Sequence, residues 1–399
     1  MNFVKKLIIL AVILLLAIGM WTNITRQAVS NPRDSRYKDP GDAYSEYIVR
    51  NTLINSFMGS ENLRGSLIWT QGYGAGVDDF TYYPEKTRRY HSNQGLQVVP
   101  YRLVAVASGM PLVSASAPLF ELFRLLNCFF LLSAVYVFFK SVLSHPSSAL
   151  AATALTSVAA GPAMFGANLY WQYWIMFTPL LATPLLLLGH RAMFVGTAAI
   201  CSFLYFSTRY EFATTFALMW LLPVVIAGLR SKAPVIITGL SSFGCVCVAF
   251  ILTLIFHHMR VAQVESVSFW EASGFIFENL QLRVASLDQV PMPGSIEFIK
   301  NLAARLTENA FAVVDVFTLS RGLIGLSAIY LAFNSTEGRW LMGWAVITYG
   351  SWYIFGYQHI MQHFAYDAML FSCTIGIVFT YLILRRIDNA LLELRASRR

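Results

Sequence analysis

Six short stretches of the chain collect side chains able to do chemistry. The first is Asp39-Pro40-Gly41-Asp42-Ala43-Tyr44-Ser45-Glu46-Tyr47, and the second is Val77-Asp78-Asp79-Phe80. A third runs from Glu85 through Arg88, Arg89, His91 and Gln94 to Gln97. Then come Thr208-Arg209-Tyr210-Glu211, His257-His258-Met259-Arg260, and Gln358-His359 with His363 and Asp367. A carboxylate such as Asp42 or Asp78 can accept the proton of an attacking hydroxyl. Guanidinium and imidazole groups such as Arg209, Arg260, His257 and His258 can hold an anion. His359, His363 and Asp367 follow an i, i+4, i+8 spacing that could ligate a metal on a helix. Polar residues on a helix surface are the other reading of that spacing, and no metal or other cofactor is expected.

The rest of the chain must position these groups, and its composition says how. Of 399 residues, 56% are hydrophobic and only 13% are charged, against about a quarter charged in an average soluble domain. That places the chain in a lipid bilayer. The net charge of +8 is no footprint for nucleic acid, because no basic stripe exists and the arginines sit at the ends of apolar runs. The five cysteines all lie inside apolar runs, and Cys245-x-Cys247 lacks the spacing of a zinc or redox site. They read as small apolar fillers.

A helix needs about twenty apolar residues to cross a bilayer. Such runs fall near 3–21, 118–140, 147–165, 170–189, 192–208, 211–228, 233–256, 316–333, 340–356 and 366–384. The expected fold is therefore an all-α polytopic membrane protein of about ten spans. It forms one domain over 1–399, with extracytoplasmic loops at 22–117 and 257–315. A cleaved signal peptide is the other reading of the first run, but its apolar stretch is long and Gly19-Met20-Trp21 is a poor cleavage site.

Basic residues in short connections mark the cytoplasmic side. Lys5 and Lys6, His190 and Arg191, Arg230 and Lys232, Arg339, and Arg385 and Arg386 all fall there if both termini are cytoplasmic. The six chemical stretches then gather on the outer face. A transporter would need an acid or base near mid-bilayer, and the spans carry none. Binding or chemistry at the outer surface fits better. Bland readings stand beside it: Arg209 and Glu211 as a charge pair ending two spans, His257, His258 and Arg260 as interfacial anchors, and Asp78-Asp79 as a solvated turn.

Asp42-Ala43-Tyr44-Ser45-Glu46-Tyr47-Ile48, soon after the first span, resembles the acidic first-loop pattern of GT-C superfamily membrane glycosyltransferases. Thr208-Arg209-Tyr210-Glu211-Phe212 and His359 near a late outer end are further points of similarity. The layout also resembles that of phage-type serotype-converting O-antigen glucosyltransferases. The resemblance implies a GT-C-like fold and a sugar donor carried on polyprenyl phosphate. It also implies a glycan or lipid-linked acceptor, and action at the outer face of a bacterial cytoplasmic membrane. On that footing Asp42 is the expected base, with Asp39, Asp78 and Asp79 as the other carboxylates. Arg209 and Arg260 would clamp the departing lipid phosphate, supported by His257, His258 and His359. Glu211, Tyr44, Gln94 and His363 would orient substrate. The stretch around Tyr101–Phe120, broken at Gly109-Met110-Pro111, would lie on the membrane and wall a lipid groove. Two rival classes are an O-antigen polymerase or ligase and a non-enzymatic lipid-linked glycan flippase. The first usually keeps its main loops later in the chain, and the second needs a charged or roomy path through the bilayer.

Overall fold

The computed structural model describes residues 3–22, 24, 43–57, 67–70, 87–91, 94–109, 118–231, 235–284, 295–311, 318–356 and 365–397. Among the described residues, five helices are long and apolar enough to cross a membrane: Phe3–Trp21, Pro118–Val142, Ala213–Arg230, Ile236–Glu265 and Tyr366–Ala396. Helices Arg191–Thr208, Thr318–Phe333 and Thr336–Phe355 fall where three more spans are expected. The remaining two expected runs are broken. One divides into Pro146–Ser157 and Ala160–Phe165, and the other into a 3-10 turn at Tyr173–Phe177 followed by Thr178–Leu181 and Thr183–Leu187. Pro179 and Pro184 each sit in the first turn of a new short helix, where the missing N–H costs nothing. The same prolines inside a continuous helix would remove ladder bonds and clash.

Phe3–Trp21 is apolar all round but buries one stripe, Ile9, Ile13, Ala17 and Met20. That three-to-four spacing is one face of a helix, and it packs on Pro118–Val142. The other faces expose Leu7, Ile8 and Leu15, as suits lipid contact. The C-terminal span is the opposite case. Every residue from Ile375 to Leu382 is buried, so the other helices wrap around it. Gly161 sets one of these approaches: a Cβ there would lie 2.5 Å from the Ala368 carbonyl oxygen and 2.8 Å from Ser372 Oγ. Only glycine allows this backbone contact, and the Gly161 N–H donates to Ser372 Oγ at 3.1 Å.

Two departures from expectation concern the regions expected on the outer face. Helix Ile236–Glu265 runs nine residues past the expected end at 256. At 1.5 Å per residue its 30 residues reach about 45 Å, beyond a hydrocarbon core of about 30 Å. His257, His258 and Arg260 therefore ride on a rigid helical extension rather than in a loop. The region expected to form the first outer loop is also not wholly helical among the described residues. After helix Ala43–Phe57, strands Leu67–Thr70 and Thr87–Tyr90 pair antiparallel, with Leu67 opposite Tyr90 and Thr70 opposite Thr87. Helix Val98–Ser108 follows and stops at Gly109, which caps it in the left-handed conformation at φ 66°, at the first residue of the Gly-Met-Pro break.

On the face assigned to the cytoplasm, Asp388 accepts from Ser144 N–H (2.7 Å), His145 N–H (3.2 Å) and Ser148 Oγ–H (2.8 Å). These bonds tie the last helix to the turn after Val142. Arg385 joins Glu337 and Tyr381 beside it.

Candidate functional site

A buried polar cluster is built around the turn Asn168–Gln172. Asn168 Oδ1 accepts the Tyr170 N–H at 2.9 Å and the Trp171 N–H at 3.0 Å, folding the turn on its own side chain. From Pro118–Val142, Asn127 donates to the Asn168 carbonyl (3.3 Å) and to the Tyr101 hydroxyl (3.2 Å). Two charged groups of opposite sign hold the turn's backbone. The Leu169 N–H donates to Glu46 Oε2 at 3.4 Å. Arg209 Nη2 donates to the Tyr170 carbonyl at 3.1 Å.

Arg209 reaches this turn because helix Arg191–Thr208 stops just before it. Arg209 is extended, with φ −164° and ψ 160°, and the chain turns through Tyr210 and Glu211 before helix Ala213–Met219. Phe212 takes a φ of 61° in the turn, a left-handed conformation costly for a bulky residue. Its ring stacks on Trp171 at 5.5 Å. Gln172, at φ 38°, is a second left-handed residue of the same cluster. Backbone strain of this kind persists where surrounding packing over-determines it.

The resulting environment of Arg209 is not that of an interfacial anchor. The residue is 1% exposed, whereas a snorkelling arginine keeps its head in water. Its guanidinium carbon lies 5.2 Å from the Trp171 ring centre and 5.7 Å from that of Tyr205. Nε faces Thr208 Oγ1 at 3.4 Å, and Nη1 finds no hydrogen-bond partner among the described residues. The Arg209–Glu211 pair is likewise not a helical i, i+2 pair, since both stand in the non-helical turn. Glu211 is 2% exposed, and its carbonyl accepts the Tyr205 hydroxyl.

A second set of expected residues has fastening contacts. The Gln94 side chain donates to the Thr253 carbonyl, and the Gln94 carbonyl accepts from Arg260 Nη1. Tyr210 donates to the same Thr253 carbonyl at 3.2 Å and stacks on His257 at 5.6 Å. His258 Nδ1 meets the Leu254 carbonyl at 2.7 Å, and its ring lies against Phe269. Gln94 and Arg260 thus clasp the strand-to-helix segment to helix Ile236–Glu265, while His257 of that helix packs on Tyr210. Beyond that helix Ser268 and Glu271 form a reciprocal capping box, at 2.8 and 3.2 Å. The Ser268 N–H, and then its hydroxyl, hold the Glu271 carboxyl below the usual glutamate value.

Asp39, Asp42, Asp78, Asp79, His359 and His363 lie outside the described residues. Tyr44 stands in helix Ala43–Phe57. Asp367, the third member of the spaced His359 and His363 set, is fully buried and accepts the Tyr353 hydroxyl. Asn168 and Gln172 lie outside the six stretches picked out in the sequence, and Glu46 and Gln97, within them, carried no assigned role. Glu46 meets Arg50 at 2.6 Å and Arg124 at 3.8 Å as well as Leu169. Its place four residues after Asp42 in sequence, in the first turn of helix Ala43–Phe57, was the available signal.

No family model matches the chain, and no curated protein does. Among solved structures it is similar to the archaeal oligosaccharyltransferase AglB from Archaeoglobus fulgidus, solved with an inhibitory peptide and a dolichol-phosphate. That match has 16% identity, a TM-score of 0.47, and covers 99% of this chain and 52% of the other. It is also similar to the Archaeoglobus fulgidus oligosaccharyltransferase solved with zinc and sulfate. There the identity is 15% and the TM-score 0.40, over 96% of this chain and 51% of the other. The chain spans about half the length of these structures.

Proposed function

We propose that the protein transfers a sugar from a polyprenyl-phosphate donor to a glycan or lipid-linked acceptor at the outer face of a bacterial cytoplasmic membrane. Both termini are cytoplasmic in this reading, the chain crosses about ten times, and the site opens to the periplasm. The observation that carries it is Arg209: a guanidinium 1% exposed, fixed by Tyr170 and two aromatic rings, with one nitrogen unpaired among the described residues. A buried cation held this rigidly suits an anion arriving from the membrane side, such as a lipid-linked phosphate.

In the reaction, the acceptor oxygen bonds to the anomeric carbon while the bond from that carbon to the phosphate oxygen breaks. The electron pair leaves on the phosphate. The acceptor proton passes to a carboxylate, for which Asp42 is the first candidate and Asp39, Asp78 and Asp79 the others. Arg209 stabilises charge as it grows on the leaving phosphate, and its surroundings are already oriented before reaction. Glu46 acts as a positioning residue, through the Leu169 N–H and the turn that carries Tyr170. Arg260 and Gln94 hold the neighbouring segment in place and His257 packs on Tyr210, rather than gripping the phosphate first. His258, His359, His363, Tyr44 and Glu211 remain assigned to substrate support.

Arg209→Lys keeps the charge but loses the planar fork and its ring contacts. Lipid-linked sugar turnover in membranes holding equal protein should fall by at least about tenfold, from the loss of a charge-assisted bond worth about 1.5–3 kcal/mol. Equal turnover would mean that Arg209 only ends a helix.

A further inference from the structure

Beside Arg209 lies a second group that the mechanism above does not use. Gln97 sits at the start of helix Val98–Ser108, is 1% exposed, and makes no side-chain capping bond. Neither its amide nitrogen nor its amide oxygen finds a partner among the described residues. Its backbone is nonetheless firmly placed. The Gln97 carbonyl accepts Gln172 Nε2 at 3.1 Å, and the preceding Leu96 N–H donates to the Ser207 carbonyl at 3.3 Å. Those bonds tie it to Gln172, two residues from the carbonyl that Arg209 grips, and to Ser207, two residues before Arg209. Ser207 is buried, and its hydroxyl too lacks a partner among the described residues. Three unpaired polar groups thus share one neighbourhood inside an apolar bundle. Burying a polar group unsatisfied is costly, and such groups in native proteins call for an explanation.

Their chemistry narrows what would satisfy them. Arg209 Nη1 is only a donor and needs an acceptor. The Gln97 amide is different: its nitrogen needs an acceptor and its oxygen needs a donor. An ionised phosphate offers acceptors alone, so it satisfies Arg209 but leaves the Gln97 oxygen unpaired. A hydroxyl offers both a donor and acceptors, and adjacent hydroxyls can meet both ends of an amide. The ligand that answers all three groups therefore carries an anion beside hydroxyls. A glycosyl phosphate has that pattern.

We propose that Gln97, helped by the Ser207 hydroxyl, reads hydroxyl groups of the donor's sugar while Arg209 faces its phosphate. This rests on the function proposed above, and it makes Gln97 a specificity residue rather than a catalytic one. A polyprenyl phosphate without sugar should be indifferent to Gln97, and one bearing a sugar should not.

The test compares binding of undecaprenyl phosphate and of undecaprenyl-phosphate glucose to the purified protein in detergent. Wild type, Gln97→Met and Arg209→Lys are measured side by side, with thermal stability recorded for each. Gln97→Met keeps length and volume and removes both polar atoms. It should weaken binding of the glucose-bearing lipid by about tenfold, leave undecaprenyl phosphate within about twofold, and leave thermal stability unchanged or raised. Arg209→Lys should weaken both lipids. If Gln97→Met binds both lipids like wild type while Arg209→Lys weakens both, Gln97 is a structural amide and the inference fails with the functional reading intact. If wild type binds neither lipid, the functional reading itself fails. Should Gln97→Met not accumulate, Ser207→Ala carries the same comparison, with a loss of about threefold expected for the glucose-bearing lipid alone and none overturning the inference.

Discussion

Glu46→Gln isolates the carboxylate that holds the Asn168–Gln172 turn. The substitution is nearly isosteric and keeps an acceptor for the Leu169 N–H, so the packing is preserved. What it removes is the negative charge between Arg50, 2.6 Å away, and Arg124, 3.8 Å away. The three side chains are 12%, 16% and 20% exposed, so solvent screens them only in part. A fully buried pair loses about 3–5 kcal/mol when one partner is neutralised, and an exposed one loses about 0–1. An intermediate value of about 2 kcal/mol follows, equivalent to about 2 °C in apparent Tm for a chain of this size. Removing Arg124 as well should recover part of the loss, because the guanidinium that faces Glu46 at 3.8 Å is then gone. Thermal unfolding of Glu46→Gln, Arg124→Leu and the double variant in one detergent measures this. Activity should fall further than stability, since the turn also presents the carbonyl that fixes Arg209. A double variant less stable than the sum of the singles would refute the charge argument. Unchanged activity in Glu46→Gln would refute the positioning role.

Three further outcomes follow from particular contacts. Asp42→Asn should lower transfer by roughly 100-fold or more with normal accumulation, and Asp39→Asn should be milder because it precedes a proline; the reverse order would move the base to Asp39. Gly161→Ala should cost about 1–3 kcal/mol by forcing the helix off Ala368, seen as reduced folded yield and a lower apparent Tm. Glu271, held below its ordinary value by Ser268, supports the start of helix Phe269–Val284 above about pH 4.3, and that support is lost as pH falls through its depressed folded value. Hydrogen-exchange protection factors at residues 268–272, corrected for the intrinsic pH dependence of exchange, should therefore fall at acid pH in wild type and stay level in Glu271→Gln.

Much of the scaffold is legible in residue type. Continuous apolar runs give Phe3–Trp21, Pro118–Val142 and Ile236–Glu265 as helices, because lipid leaves the backbone no other way to satisfy its polar groups. The Gly109 break is equally plain. What hydropathy does not carry is where a helix ends once it leaves the bilayer, so the extension through Glu265 escapes it: Arg260 and Glu265 are polar but helix-compatible. It also does not separate a continuous span from the pieces between Tyr173 and Leu187, where prolines start new turns without lowering hydropathy. The strands Leu67–Thr70 and Thr87–Tyr90 are too short, and too far apart in sequence, to register as a hairpin.

The site divides in the same way. Arg209 stands out in the sequence as a charge at the end of an apolar run. Its burial depends on Phe212 and Gln172 taking left-handed conformations, which neither residue type signals. Gln94 and Gln97 look alike in sequence, three residues apart. The structure spends the Gln94 side chain on Thr253, while the Gln97 amide is unpaired among the described residues. Glu46, Asn168 and Gln172 matter through backbone groups from distant segments, and no local spacing encodes that.

The proposed reaction is sugar transfer from a polyprenyl phosphate at the outer membrane face. It is tested most directly in sealed vesicles of the two orientations, loaded with undecaprenyl phosphate bearing a radiolabelled hexose and given envelope polysaccharide on the outside. Labelled polysaccharide should form when the face bearing residues 87–109 and 257–265 is outward, and its formation should collapse with Arg209→Lys. Equal labelling in both orientations, or labelling only with the Arg385–Arg386 face outward, would contradict the account.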